Sequence, residues 1–297
     1  MLLNRRIPLS YLVNKIKRDF VFLLLFNIFV ISLKYFFHFD VDLPLAVVAF
    51  LGTAISLVLS FKLSQSYDRW WEARKIWGGI VNDSRTLVVQ LKQFCTSKEA
   101  WPVVERMGMR QLGWNYSLAR SLRRLDPRQS LQEFISEKEF ATLANVRHLP
   151  LALLDHQSSD LQYLHQTNFV NDYQQVQLDT TLLRLCDHMG RAERIKNTIF
   201  PRTYNLFLRF FIIVFLVCLV VALEELNPFF EFGLMVTITL PFLLLQKTAW
   251  ELQDPFENRP SDTPLTAICQ TIETNIKQLL GMAIPEFETN DDNYYQL

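Results

Sequence analysis

The stretch LPLAVVAFLGTAISLVLSF, residues 43–61, contains no charged residue and no histidine. As a helix it would be about 28 Å long, which matches the roughly 30 Å hydrocarbon core of a bilayer. Lipid offers no hydrogen-bond partner to an exposed peptide group, so a helix is the favoured form for such a segment. The stretch therefore predicts a membrane-spanning helix.

Three further apolar segments, Phe20–Phe37, Leu206–Ala222 and Phe229–Leu245, have the same character. With the first they form two hairpins that flank a long polar stretch of helical pattern. We therefore expect an all-α protein with four membrane spans and a large cytoplasmic helical domain. The expected divisions are 1–19, an N-terminal cytoplasmic or interfacial helix; 20–61, the first transmembrane hairpin; 62–205, the cytoplasmic domain; 206–248, the second hairpin; and 249–297, a C-terminal cytoplasmic segment.

The charge distribution predicts the orientation. Residues 1–19 carry five Lys or Arg and one Asp, whereas the hairpin loops 38–42 and 223–228 carry acidic residues and no Lys or Arg. Positive-inside bias then places both termini in the cytoplasm of a multi-pass protein of the cell membrane, plasma or inner. Because two hairpins enclose no wide hydrophilic path, a transport function would need several copies of the chain.

The polar regions predict further helices. No Pro occurs between Leu45 and Trp101, so we expect one very long helix there, or two nearly collinear ones with a kink at Gly78–Gly79. Ser130–Glu133 matches a capping signal, and Pro150 suits the first position of a helix. The other helices are expected at 103–125, 130–145, 150–155, 161–194 and 265–280, with a handover to the third span at Pro201 and an acidic tail at 285–297.

Residue chemistry argues against several classes of function. The chain has no phosphate-binding Gly-rich loop, zinc-protease motif or nucleophile elbow, so we expect neither catalysis nor a cofactor. The formal net charge is zero, which gives no support for nucleic-acid binding. The four cysteines form no CxxC pair, and we expect reduced thiols rather than a disulfide frame or a zinc site.

The segment SYDRWWEARKIWGG, residues 66–79, places aromatic residues and charges of both signs directly after the second span. An aromatic belt with extended Arg side chains and i, i+4 ion pairs would account for part of this pattern. The density of charge also suits a buried interfacial network, whose expected members are Arg69, Trp70, Trp71 and Glu72. The candidate carboxylate partners of Arg69 are Asp68, Glu72, Glu251 and Asp254.

Together with Phe61 and with Asp254-Pro255-Phe256 after the fourth span, this segment resembles the bestrophin family, most closely its bacterial branch. The likeness covers essentially the whole chain. It implies a homopentameric ion channel, with a central pore that is lined by the second span of each subunit and widens into a cytoplasmic vestibule. The implied partners are permeating monovalent ions, the other subunits and the lipid bilayer.

A stripe of residues on the second span is the candidate pore neck. Thr53, Leu57 and Phe61 recur every four residues, a spacing that drifts only about 40° around a helix per step and covers roughly 12 Å of its length. Ordinary helix packing produces the same spacing. The resemblance assigns these positions to the family's hydrophobic neck, which would gate by dewetting. Thr53 departs from the family pattern, because an aliphatic residue is usual there.

Two other candidate sites come from the resemblance. The family's narrow cytoplasmic aperture falls at Tyr173, with Val176 and Gln177 as alternatives one turn on, although Tyr173 could equally be packing in the vestibule wall. The calcium clasp of animal members matches the segment after the fourth span, where Glu251, Asp254 and Asp262 are weak ligand candidates. Arg259 stands where an acidic ligand is expected, so we predict no metal site.

The sequence therefore predicts a passive channel that conducts chloride or other small monovalent anions, without catalytic turnover. Conduction of a monovalent cation such as sodium by the same fold remains an alternative, because uncharged neck residues do not decide the sign. The alternative from another class is a membrane-anchored scaffold whose cytoplasmic helices bind a partner.

Overall fold

A computed structural model describes residues 8–37, 43–198, 202–223, 227–287 and Tyr295. Over these ranges the chain is all-α, as predicted, with nine α-helices and one 3₁₀ turn at Leu131–Glu133. The helices are α1, Leu9–Phe37; α2, Leu45–Phe94; α3, Trp101–Leu122; α4, Glu137–Thr142; α5, Leu149–Gln166; α6, Asp172–Asn197; α7, Arg202–Ala222; α8, Pro228–Leu252; and α9, Leu265–Leu280. The predicted handover at Pro201 and most of the predicted tail lie outside the described residues.

The chain divides into two compact units, with α2 passing from one to the other between Trp70 and Trp71. The membrane unit contains α1, α2 as far as Trp70, α7 and α8. All four of these helices are long and apolar enough to cross a membrane, as predicted. Residues 9–19 belong to α1 and continue without a break into the first span.

The core of the membrane unit is formed by apolar side chains from all four helices, such as Leu23, Ile55, Phe215 and Met235. Most of the apolar surface of the spans stays exposed on the single chain. Exposed apolar surface of this extent is typical of helices covered by lipid or by other subunits.

The helical unit contains the remainder of α2 together with α3–α6 and α9. Its core holds two fully buried tryptophans, Trp77 of α2 and Trp114 of α3. The helix α2 is continuous past Gly78–Gly79, so the prediction of one very long helix is confirmed. At Gly79 a Cβ atom would overlap the imidazole ring of His188 on α6, which explains why a residue without a side chain stands there.

The predicted helix at 130–145 is wrong. Ser130 makes no capping hydrogen bond with its side chain, and the chain instead forms the 3₁₀ turn and then the short α4. Ser136 has extended backbone angles, and its hydroxyl accepts a hydrogen bond from the Glu139 N–H at 3.3 Å. The capping residue is therefore Ser136 and not Ser130, so the α-helix starts six positions later than predicted.

The predicted helices at 150–155 and 161–194 are also wrong in their bounds. The first extends to Gln166, and the second begins only at Asp172. Asn168 between them has a positive φ of 57°, a left-handed conformation that Asn tolerates and that ends a helix. Asn171 then caps α6 through reciprocal hydrogen bonds with Gln174. The final helix, Leu265–Leu280, has its predicted bounds.

Candidate functional site

One face of α2 in the membrane unit points away from its own chain. Leu57 is 58% exposed and Phe61 is 61% exposed, whereas Ile55 and Leu59, each two positions before one of them, are 3% and 1% exposed. Thr53, one turn before Leu57, is exposed as well. The three predicted neck residues therefore share an outward face, while the opposite face packs in the core. Such a face can meet lipid, another subunit or water.

The Thr53 hydroxyl is partly engaged within the helix. Its Oγ1 donates to the Ala49 carbonyl at 2.8 Å, and the Ser56 hydroxyl donates to the Gly52 carbonyl in the same way. Each hydroxyl thereby uses its only proton and leaves lone pairs of its oxygen available. A ring of such side chains would present acceptors to an ion rather than donors.

Tyr173 lies in the first turn of α6 in the helical unit and is 89% exposed. Val176 and Gln177, the alternatives one turn on, are exposed too. The capping hydrogen bonds of Asn171 hold this helical start in place. The structure thus places an exposed aromatic side chain in the capped first turn of α6.

Arg69 connects α2 with the segment that follows α8 inside the membrane unit. Its Nε donates to the Gln253 carbonyl at 2.9 Å, and the carboxylate of Asp254 is close enough to favour its positive charge. The Trp70 ring stacks on Tyr67, with 6.0 Å between ring centroids. This part of the predicted network is therefore an α2–α8 connection.

Glu72, the other predicted member of the network, pairs within the helical unit. Its carboxylate lies 2.6 Å from Nζ of Lys75 and 2.9 Å from the guanidinium of Arg191 on α6. The neighbouring Trp71 side chain is about half exposed. Glu72 thus connects α2 with α6.

The weak calcium-ligand candidates are each engaged with protein groups. Glu251 lies 2.7 Å from Nζ of Lys15. The Oδ2 of Asp262 accepts hydrogen bonds from the N–H groups of Glu257 and Arg259, which shapes the turn after α8. Within the part of the chain that the structure describes, no group of three or more His, Cys, Asp or Glu side chains is placed to hold a metal ion.

Two polar pairs of the membrane unit were not predicted. Lys34 of α1 lies 3.2 Å from Glu231 of α8; Glu231 is fully buried and Lys34 is largely buried, with 13% of its side chain exposed. Lys62 is fully buried although it directly follows exposed Phe61, and its amine donates to the side-chain oxygen of Asn205 on α7. Lys34 is a lone charge within an apolar segment, and this could have indicated that it needs a partner inside the membrane unit. The burial of Lys62 could have been expected from its position on the helix, because it is rotated by about 100° around the axis of α2 from Phe61, toward the chain interior.

The comparisons with known proteins agree with this architecture. The chain is 27% identical to a voltage-dependent anion channel-forming protein of Nostoc sp., over 88% of this chain and 85% of that protein. It is 27% identical to the voltage-dependent anion channel-forming protein YneE of Escherichia coli K12, over 96% of this chain and 93% of that one. The crystal structure of a bacterial bestrophin homologue from Klebsiella pneumoniae superposes with a TM-score of 0.83 at 28% identity, covering 90% of this chain and 99% of that one. The family model described as "Bacterial/Fungal Bestrophin protein" matches residues 6–278, and the chain belongs to this family.

Proposed function

We propose that this membrane protein is a passive anion channel formed by five copies of the chain. The observation that carries the proposal is the outward face of α2, where Leu57 and Phe61 are exposed while Ile55 and Leu59 on the opposite face are buried. Five such faces around one axis would make a pore neck of Thr53, Leu57 and Phe61. The names of the relatives as voltage-dependent anion channel-forming proteins support the choice of anions, of which chloride is the proposed physiological example.

The proposed neck works by dewetting rather than by charge. An ion that enters an apolar ring must shed part of its hydration shell, and the wall offers neither donors nor acceptors in return. Small changes in neck width would therefore control conduction. Thr53 forms one end of this neck, and its hydroxyl makes that end the wetter one.

The remaining assignments complete the proposal. The basic N-terminal residues and the acidic hairpin loops support cytoplasmic termini and an inner or plasma membrane location. The stretch 62–205 then forms the cytoplasmic domain between the hairpins 20–61 and 206–248, flanked by the segments 1–19 and 249–297. Exposed Tyr173 is the proposed cytoplasmic aperture, and Arg69, Trp70, Trp71 and Glu72 the proposed interfacial network. We propose neither catalysis nor a metal requirement.

Conduction of monovalent cations is the second candidate, and one observation favours it. The hydroxyl proton of Thr53 is donated to the Ala49 carbonyl, so the oxygen would face the pore with its lone pairs. Acceptor oxygens suit a cation such as sodium better than chloride.

The test is the reversal potential of the purified protein in a planar bilayer with a salt gradient. A reversal potential near the equilibrium potential of chloride would support the anion channel. A value near that of sodium would support the cation channel. Absence of any conductance, with normal insertion and assembly, would leave the membrane-anchored scaffold as the function.

A further inference from the structure

A cavity of about 980 Å³ lies within the membrane unit, between the first half of α1, α2, α7 and the end of α8. Its walls include the apolar side chains of Phe22, Phe26, Leu206, Ile213 and Leu243. Neither the candidate pore neck nor the Arg69 connection uses this cavity. A space of this size accommodates far more than a single small ion.

The charges at this cavity are strongly biased. Among the described residues that line it, five are cationic and one, Asp19, is acidic; the cationic ones are Lys15, Arg18, Lys62, Arg209 and Lys247. Two of the five are compensated, because Lys15 pairs with Glu251 and Lys247 lies over the Trp250 ring at 4.9 Å.

Among the described residues, Lys62 and Arg209 are two lining cations that lack such a compensating partner. Lys62 is fully buried, and its only side-chain hydrogen bond in the described structure goes to the neutral amide of Asn205. Arg209 is near enough to repel it electrostatically. In the described chain neither side chain lies in an ion pair with a carboxylate. Because a buried cation is costly without a counter-charge, this end of the cavity suits an anion.

We propose that the cavity binds an anionic phospholipid. The phosphate would lie near Lys62 and Arg209, and an acyl chain would cover the apolar wall at Phe22 and Phe26. A soluble anion would leave that wall in contact with water, whereas a lipid satisfies the charge and the apolar surface together. Basic pockets between membrane helices are suited to anionic head groups, and Trp250 supplies an aromatic side chain of the kind common at the membrane interface.

The experiment is native mass spectrometry of the delipidated full chain in detergent. The probes are dioleoyl phosphatidylglycerol, dioleoyl phosphatidylcholine and glycerol phosphate, which has the anion without the acyl chains. The phosphatidylglycerol adduct should dominate, and its apparent affinity should fall about fivefold in Lys62→Met and in Arg209→Gln, as expected for one cation each. Lys17→Met is the matched control, because Lys17 is exposed on α1 and does not line the cavity.

Each alternative outcome overturns the proposal. Equal retention of phosphatidylcholine would show that the cavity does not select an anion. Binding of glycerol phosphate as tight as that of the lipid would assign the site to a soluble phosphate. Unchanged phosphatidylglycerol binding in both cavity variants would place the lipid elsewhere. A structure of the assembled protein in which a second copy of the chain fills the cavity would also exclude the lipid from it. The exposed position of Arg209 makes Arg209→Gln informative even if Lys62→Met folds poorly.

Discussion

Leu57 is the side chain whose size should most affect ion flow. It is more than half exposed on α2 and lies one turn from Phe61, so five copies would meet in the proposed pore. Water in a narrow apolar neck loses hydrogen bonds that the wall cannot replace. Leu57→Ala should therefore raise the single-channel conductance or the open probability at unchanged expression, with Phe61→Ala next in effect.

Leu25→Ala is the matched control for this measurement, because Leu25 is similarly exposed but lies on α1. Single-channel recordings in symmetric salt compare the three variants with the parent. If Leu57→Ala and Phe61→Ala conduct and gate like the parent, the outward face of α2 is packing surface and the pore lies elsewhere.

Adjacent glycines of α2 provide a second residue-scale prediction. A Cβ at Gly79 would overlap His188, whose Nε2 lies 3.1 Å from the Asp83 carboxylate, so Gly79→Ala must displace that ring. At Gly78 the nearest atom to a Cβ is Nη1 of Arg74, at 3.9 Å. Gly78→Ala should raise helix stability by up to about 1 kcal/mol, whereas Gly79→Ala should be less stable than Gly78→Ala by about 1–3 kcal/mol.

Thermal unfolding followed by tryptophan fluorescence measures this difference between neighbouring positions. Equal melting temperatures for the two variants would mean that His188 moves aside without losing a stabilising contact.

At the scale of the elements, the sequence predicted what depends on local pattern and missed what depends on competition. The four spans and α9 were predicted because their apolar periodicity is uninterrupted. The 130–145 region failed because two Ser caps compete there and the second is the one used. The break before α6 depends on a left-handed Asn168, and Asn adopts that conformation without any obligatory sequence signal.

In the candidate site, too, features set by local sequence pattern were predicted and a feature set by helix packing was not. Helical spacing was enough to group Thr53, Leu57 and Phe61 on one face, because those residues lie on a single helix. The pairing of Lys62 with Asn205 joins residues 143 positions apart. No local pattern predicts such a partner, since it depends on how α2 and α7 pack.

In the helical unit, Arg110 of α3 also joins residues that are distant in the sequence, because it connects α3 to α4 and α5. Its buried guanidinium contacts the Glu139 carboxylate and lies 2.6 Å from Asp160. Removing one member of a buried ionic group leaves the others uncompensated, at a cost of about 3–5 kcal/mol. Arg110→Ala should therefore lower the melting temperature markedly.

Arg106→Ala is the control for this variant, because Arg106 pairs with the same Asp160 but its side chain is 43% exposed. Solvent screens that pair, so its loss should cost less than about 1 kcal/mol. Similar melting temperatures for the two variants would show that burial of Arg110 adds nothing to the strength of the pair.

The same cluster predicts a pH dependence of stability. Burial raises the pKa of Glu139, but the hydrogen bond and charge of Arg110, with a smaller contribution from His156, outweigh it and hold the pKa below its usual value. The pKa of Asp160 is also lowered, because Arg106 and Arg110 outweigh its burial. Both carboxylates therefore stabilise the fold above their unfolded pKa values of about 4, and this contribution is lost as the pH falls through the lowered folded values.

Melting temperatures between pH 6 and pH 3 test this dependence, with Glu139→Gln as the comparison. The parent should lose stability more steeply than Glu139→Gln below about pH 4. Parallel curves for the two proteins would contradict the assignment of the lowered pKa to Glu139.

At the scale of the whole molecule, the proposed channel depends on assembly of several chains. One chain supplies four membrane-spanning helices, and the face of α2 that bears Leu57 and Phe61 is exposed in the described part of the chain. A head-to-tail interface repeated around an axis closes into a ring, and only a closed ring turns that face into a neck. We therefore expect particles in lipid nanodiscs with five times the 34.9 kDa mass of the chain.

Mass photometry of the nanodisc sample measures this mass. A variant of Arg69 then separates effects on assembly from effects on conduction. Arg69 holds the end of α8 through the Gln253 carbonyl, so Arg69→Ala should reduce the fraction of pentamers, whereas Leu57→Ala should leave it unchanged. Monomers or dimers for the parent would remove the pore altogether, because two faces of α2 cannot surround an ion path. Pentamers that conduct nothing would instead keep the assembly and refute the neck, so the two measurements together distinguish a failure of assembly from a failure of the proposed channel.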